Sequence, residues 1–208
     1  MRESSTAQLG RDRDPSEIRP VGKNIFVEII TEHQIGKIYL PNGKQTECRE
    51  AVVVSVGPGR KHDKSGILFK PEVTPGQRVI FMEYEGYDIE MAGKEYRMIE
   101  EDKIWAIRDG EKIIPYGNRI LVEPLNLTKH GVLELPQNMM HKSQLTKAKV
   151  LRVGDGARFY QTGELAPMNT AVGDTIFFNR YSGAEIDSDG KQKMRLIGDS
   201  DAVAVEEK

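Results

Sequence analysis

The two halves of this chain repeat each other, and that repeat limits the fold more than any other feature. Ile18-Arg19-Pro20-Val21-Gly22-Lys23-Asn24-Ile25-Phe26-Val27-Glu28 aligns with Ile113-Ile114-Pro115-Tyr116-Gly117-Asn118-Arg119-Ile120-Leu121-Val122-Glu123, 95 residues on. Val56-Gly57-Pro58-Gly59 aligns with Val153-Gly154-Asp155-Gly156, and Gly76-Gln77-Arg78-Val79-Ile80-Phe81 with Gly173-Asp174-Thr175-Ile176-Phe177-Phe178, both 97 residues on. Tyr84 and Gly86 find Tyr181 and Gly183 at the same spacing. Ile104-Trp105-Ala106-Ile107 finds Ala202-Val203-Ala204-Val205, 98 residues on. The drift is what small loop insertions produce. A repeat of about 96 residues is far longer than a stacked solenoid unit, so each copy is a whole domain. The expected domains are residues 18–107 and 113–208, joined by a short polar linker over 108–112. Residues 1–17 mix arginines with acids and lack an apolar core, and are expected to be a disordered arm.

Inside each copy the signals are for strands. Asn24–Ile30, Ala51–Val56, Arg78–Phe81, Tyr87–Met91, Glu95–Ile99 and Lys103–Ile107 are short, rich in Val, Ile, Phe and Tyr, and punctuated by Gly, Pro and Asp. The second copy follows with Arg119–Glu123, Ala148–Val153, Thr175–Phe178, Ala184–Ile186, Lys193–Ile197 and Ala202–Val205. Ala92-Gly93 and Asp189-Gly190 are hairpin turn signals. No stretch has helical periodicity. Short strands at regular spacing in domains of this size predict an all-β chain of two small β-barrels. Pro20 and Pro115 suit strands at an edge.

One stretch per copy does not fit a barrel core. Gly36-Lys37-Ile38-Tyr39-Leu40-Pro41 and Gly131-Val132-Leu133-Glu134-Leu135-Pro136 each sit in polar, loop-forming sequence. In an extended backbone, residues two apart point the same way. Ile38 with Leu40, and Leu133 with Leu135, therefore offer a two-pronged apolar face each. Apolar prongs on a polar loop are costly to leave in water and imply a partner.

In this order, these residues resemble the GroES-type co-chaperonins, the chaperonin-10 family. The marks are the Pro-led opening strand ending at Val27-Glu28 and Val122-Glu123, the aliphatic-x-aliphatic loop, the Val-Gly-x-Gly turn at Val56 and Val153, the glycine turn at Gly76 and Gly173, and Tyr84-x-Gly86 with Tyr181-x-Gly183. The resemblance covers nearly all of both halves. It implies two tandem GroES-like barrels, each with a mobile loop and a roof hairpin. It implies a lid for a GroEL-type chaperonin, docking through Ile38, Tyr39 and Leu40 and through Leu133, Glu134 and Leu135. The chain itself then needs no cofactor, because the partner binds ATP, and it meets unfolded clients only indirectly. The resemblance also places the roof hairpins between Gly59 and Gly76 and between Gly156 and Gly173, and Tyr84 and Tyr181 at the inner rim of a dome. Four departures stand out. The usual double glycine is Gly36-Lys37 and His130-Gly131, the second tripeptide has a central Glu134, Gln77 replaces the turn acid, and the family's usual chain is a single domain. The tandem form is best known from plant plastids. Its partners in a ring are other copies of itself or single-domain co-chaperonins, since pairs of domains cannot sum to the family's seven.

Other readings fit less well. A zinc-dependent dehydrogenase with a GroES-like domain needs several cysteines and a dinucleotide unit, and Cys48 is the only cysteine. A single-strand nucleic-acid barrel wants a basic, aromatic groove, against a net charge of -2 and 7% aromatics. A structural ring protein that no longer binds a chaperonin has no use for aliphatic tripeptides in both loops; the alternative beside it is a chaperonin regulator that no longer supports folding. No residue set suggests catalysis or a metal: His33, His62, His130 and His141 fall in separate loop stretches. No stretch suggests a membrane span. The expected compartment is the cytoplasm, or the plastid stroma if the sequence is a mature form.

Overall fold

A computed structural model describes residues 7–8, 14–30, 48–61, 64, 66–125, 145–159, 161–188 and 192–206. The chain forms two compact units, Met1–Gly110 with Phe159–Glu164, and Glu111–Arg158 with Leu165–Lys208. Among the described residues there is no α-helix, only strands and three 3-10 turns.

The first unit contains β1 (Ala7–Gln8), β2 (Asn24–Ile29), β3 (Cys48–Val56), β4 (Arg60–Lys61), β5 (Leu68–Phe69), β6 (Arg78–Met82), β7 (Tyr87–Met91), β8 (Lys94–Glu100) and β9 (Ile104–Asp109). Its main sheet runs β7-β8-β2-β3-β6-β9, with β1 parallel to the outer edge of β7. The second unit contains β10 (Lys112–Pro115), β11 (Arg119–Pro124), β12 (Leu145–Val153), β13 (Thr175–Asn179), β14 (Ala184–Ser188), β15 (Gln192–Gly198) and β16 (Ala202–Val205). Its sheet runs β14-β15-β11-β12-β13-β16, the same order strand for strand. The result is two small all-β barrels in tandem.

The repeat extends to the irregularities. The β2–β3 pairing shifts register between Phe26 and Val27, and β11–β12 shifts between Leu121 and Val122. The β6–β9 pairing shifts at Ile80/Phe81, and β13–β16 at Phe177/Phe178. Bulges increase twist and bend the bulged strand, so each sheet curls at matching places. The opening strands bury residues on both faces: Ile25, Phe26 and Val27 are fully covered, as are Ile120 and Val122. In the second unit Ile120, Val122, Ala148, Val150, Ile176, Phe178 and Ile197 form one cluster. In the first, the opposite face of β2 adds a smaller cluster in which Phe26 stacks on Tyr96 at 5.1 Å between ring centroids.

Two glycine positions show why the sequence marks take the form they do. The Gly57 and Gly59 N–H groups donate to the Asn24 and Gly22 carbonyls, both at 2.9 Å. Gly154 and Gly156 repeat these bonds to Arg119 and Gly117, at 2.9 and 3.0 Å. A Cβ on Gly57 would collide with the Gly22 carbonyl, and one on Gly154 with that of Gly117. Strand and turn backbones meet there too closely for any side chain.

Three expectations change in detail. The arm read as disordered is structured at two places. Ala7–Gln8 pairs with β7, and Pro15–Glu17 forms a 3-10 turn capped by Asp14, whose carboxylate accepts the Ser16 N–H at 2.9 Å. Proline at the first position presets that turn. The stretch read as a linker is the end of β9, a turn at Gly110-Glu111, and the start of β10. The roof segment forms a short hairpin in the first copy, pairing Arg60 with Phe69 and Lys61 with Leu68. In the second, among the described residues, one bridge joins Arg158 and Leu165, and the Phe159 N–H donates to the Glu164 carbonyl at 2.8 Å.

Candidate functional site at the feet of two loops

The chain leaves β2 at Ile29 and returns in β3 at Cys48, and it leaves β11 at Pro124 and returns in β12 at Leu145. The six tripeptide residues, Ile38, Tyr39, Leu40, Leu133, Glu134 and Leu135, lie outside the described residues, as do all four histidines. What the structure defines is how the two loops are held.

Both pairs of feet are built alike. The Ile30 N–H donates to the Glu50 carbonyl at 3.0 Å, and the Leu125 N–H to the Lys147 carbonyl at 2.9 Å. Each returning strand has 9 residues against 6 in the outgoing one. The overhang is stitched to the next strand, with Cys48 opposite Met82 and Leu145 opposite Asn179. Each loop is therefore tied at both ends to a sheet whose register cannot slip without exposing its core.

The polar dressing of the feet differs. In the first barrel Arg49 donates through Nη2 to Glu83 Oε1 at 3.0 Å, and through Nε to the other oxygen of that carboxylate. The Glu83 hydrogen bond holds the Arg49 guanidinium above its ordinary pKa, against the opposing pull of burial. Arg97, buried to 7% exposure, donates through Nε to Asp88 Oδ1 at 2.6 Å and lies over the Phe81 ring. A buried charge needs such partners. Lys94 pairs with Glu28 at 2.6 Å, and that bond raises the Lys94 pKa. In the second barrel Thr146 takes the place of Arg49 and Arg180 that of Glu83. Arg195, opposite Glu185, donates to the Arg180 carbonyl at 2.7 Å.

One departure from the family pattern is explained by geometry. Gln77 Oε1 accepts the Thr74 N–H at 2.7 Å, as Asp174 Oδ2 accepts the Ala171 N–H at 2.8 Å. An amide oxygen closes the turn as a carboxylate does, so Gln77 retains the function. Tyr84 and Tyr181 are each 75% exposed, so neither packs in the core of its barrel. Sequence reasoning missed Asp199, a buried carboxylate that receives the backbone and side chains of Asn169 and Thr170. Its only signal was an acidic residue just before the last strand. Among the described residues no group of three or more His, Cys, Asp or Glu could hold a metal ion.

The family described as the chaperonin 10 kDa subunit matches residues 17–108 and again residues 112–206. This chain belongs to the chaperonin-10 family. It carries the family's domain twice, and the family is not one of enzymes. Among similar proteins, the chloroplastic 20 kDa chaperonin of Arabidopsis thaliana is 25% identical over 197 residues, covering 91% of this chain and 76% of that protein. Its counterpart in Spinacia oleracea is 27% identical over 200 residues, covering 91% and 75%. The co-chaperonin GroES of Methylacidiphilum infernorum is 34% identical over 96 residues, 45% of this chain and 96% of its own length. The tandem chaperonin-10 chain thus aligns over 91% of its length with the two 20 kDa chaperonins and over 45% with this GroES, of which it covers 96%.

Proposed function

We propose that this chain is a co-chaperonin that caps a GroEL-type chaperonin while the partner holds ATP. Ile38, Tyr39 and Leu40 dock from the first barrel, and Leu133, Glu134 and Leu135 from the second. The observation that supports this most is the duplicated pair of loop feet, two equivalent anchorages in a chain of two chaperonin-10 domains. Burial of two aliphatic side chains per loop contributes about 3–6 kcal/mol before ordering costs. One loop is therefore a weak, reversible grip, and several on one ring add by avidity. Glu134, between its prongs, faces away from them in an extended strand, so the second loop keeps both contacts. The ring consists of this chain alone or of this chain with single-domain co-chaperonins, and clients are met only inside the capped chamber. The names of the double-length relatives favour the plastid stroma over the cytoplasm.

The test is co-sedimentation with a GroEL-type chaperonin with and without ATP. Wild-type chain is expected in the complex only with nucleotide. The variant carrying Ile38→Ser, Leu40→Ser, Leu133→Ser and Leu135→Ser is expected to stay free while remaining folded. Undiminished binding of that variant refutes the docking assignment.

A further inference from the structure

The two barrels carry an ion pair at the same place with its charges exchanged. Glu50 on β3 stands opposite Ile80, and Lys147 on β12 stands opposite Phe177, which are repeat-equivalent positions. In the first barrel Arg108 of β9 reaches across β6 and donates through Nε to Glu50 Oε1 at 2.7 Å. In the second, Lys147 donates across β13 to Glu206 Oε1 at 2.8 Å. Glu206 occupies the position of Arg108: its N–H donates to the Thr175 carbonyl at 2.8 Å, while Arg108 lies opposite Arg78, the counterpart of Thr175. The first pair is half-buried, with the Arg108 side chain 16% and Glu50 29% exposed, while in the second Lys147 is 24% but Glu206 47% exposed, so water screens the second pair more than the first.

The closing strands are otherwise much alike. β9 pairs antiparallel with β6 and β16 with the equivalent β13, each meeting a bulge at the equivalent place, so backbone pairing alone accepts either one. Tandem copies of one domain are prone to such exchange, within a chain or between two copies. We propose that the exchanged charges act as an address that sends each closing strand to its own barrel. With β16 on the first barrel, Glu206 would face Glu50. With β9 on the second, Arg108 would face Lys147, with Lys149 two residues along the same strand. Arg78 is exposed and would favour Glu206, so rejection is steeper at the second barrel. Discrimination here comes from repulsion of the wrong strand as much as from attraction of the right one.

The test removes the opposition while keeping every ion pair. Glu50→Lys with Arg108→Glu gives both barrels the second polarity, and Lys147→Glu with Glu206→Arg gives both the first. The quadruple variant restores opposition with the barrels' polarities reversed. Each full chain is refolded from denaturant, and the fraction recovered at wild-type hydrodynamic size is compared with that in larger, strand-exchanged species. Both doubles are expected to recover roughly threefold less native protein than wild type, the fold-change set by turning the repulsion that rejects the wrong strand into an attraction of this strength. The quadruple is expected to match wild type. If a double also lowers the unfolding midpoint, the quadruple still decides, because recovery there supports the address. Doubles that refold like wild type, or a quadruple as poor as the doubles, overturn it.

Discussion

Asp199→Ala should cost the second barrel about 3 kcal/mol, and the figure follows from what the carboxylate holds. Oδ2 accepts the Asn169 N–H at 2.7 Å and its Nδ2 at 2.8 Å, while Oδ1 accepts the Thr170 N–H at 3.1 Å and its Oγ at 2.8 Å. Asp199 is 4% and Thr170 5% exposed. Asn169 is exposed and regains its bonds from water. The two Thr170 donors cannot, and each loses a hydrogen bond to a charged acceptor, at about 1.5–3 kcal/mol. Relief from burying a charge offsets part of that sum. The assay is urea unfolding followed by far-UV circular dichroism, with hydrogen exchange read at the Thr170 amide. About 3 kcal/mol corresponds to roughly a hundredfold faster exchange there if opening is global. The only tryptophan, Trp105, lies in β9 and reports the first barrel, so it separates the two transitions. A loss below about 1 kcal/mol would mean that the carboxylate does not anchor residues 169–170, and the reasoning would fail.

Three further outcomes follow from the same geometry. Ala92 adopts φ 51° beside Gly93 at 72° in the β7–β8 turn, a conformation that asparagine tolerates better, so Ala92→Asn should raise stability by about 0.5–1 kcal/mol in thermal unfolding. Gly154→Ala drives a Cβ into the Gly117 carbonyl and should cost more than Gly173→Ala, where the glycine is left-handed at φ 94° but the space is open, so only backbone strain opposes the methyl; matched urea midpoints compare the two. The Glu28 bond raises the Lys94 pKa, so its stabilisation is full below the unfolded value of 10.5 and fades as pH rises through the folded one. Lys94→Met should therefore flatten the alkaline end of the first barrel's pH–stability curve.

Much of the architecture was legible because the repeat allowed each signal to be read twice. Weak strand evidence at Arg78 and at Thr175 became firm when both fell at one spacing. The glycine marks were legible as a pattern, but their cause, a strand backbone packed against a turn, needed coordinates. Burial of Asp199 was hidden, since an acidic residue before a strand reads as an exposed turn. The ordered points of the arm were hidden too, because a two-residue strand borrows its stability from the edge it joins. The exchanged ion pair was invisible for another reason. Glu50 and Arg108 are far apart in sequence, and only the register of three strands makes them neighbours.

The central claim is that two loops on one chain grip a chaperonin, and hydrogen exchange of the full-length protein tests it most directly. Exchange is measured over residues 31–47 and 126–144, free and with a GroEL-type chaperonin and ATP. The account predicts that both segments gain protection only in the nucleotide-bound complex. Protection that arises elsewhere, or a complex in which neither segment changes, would contradict it.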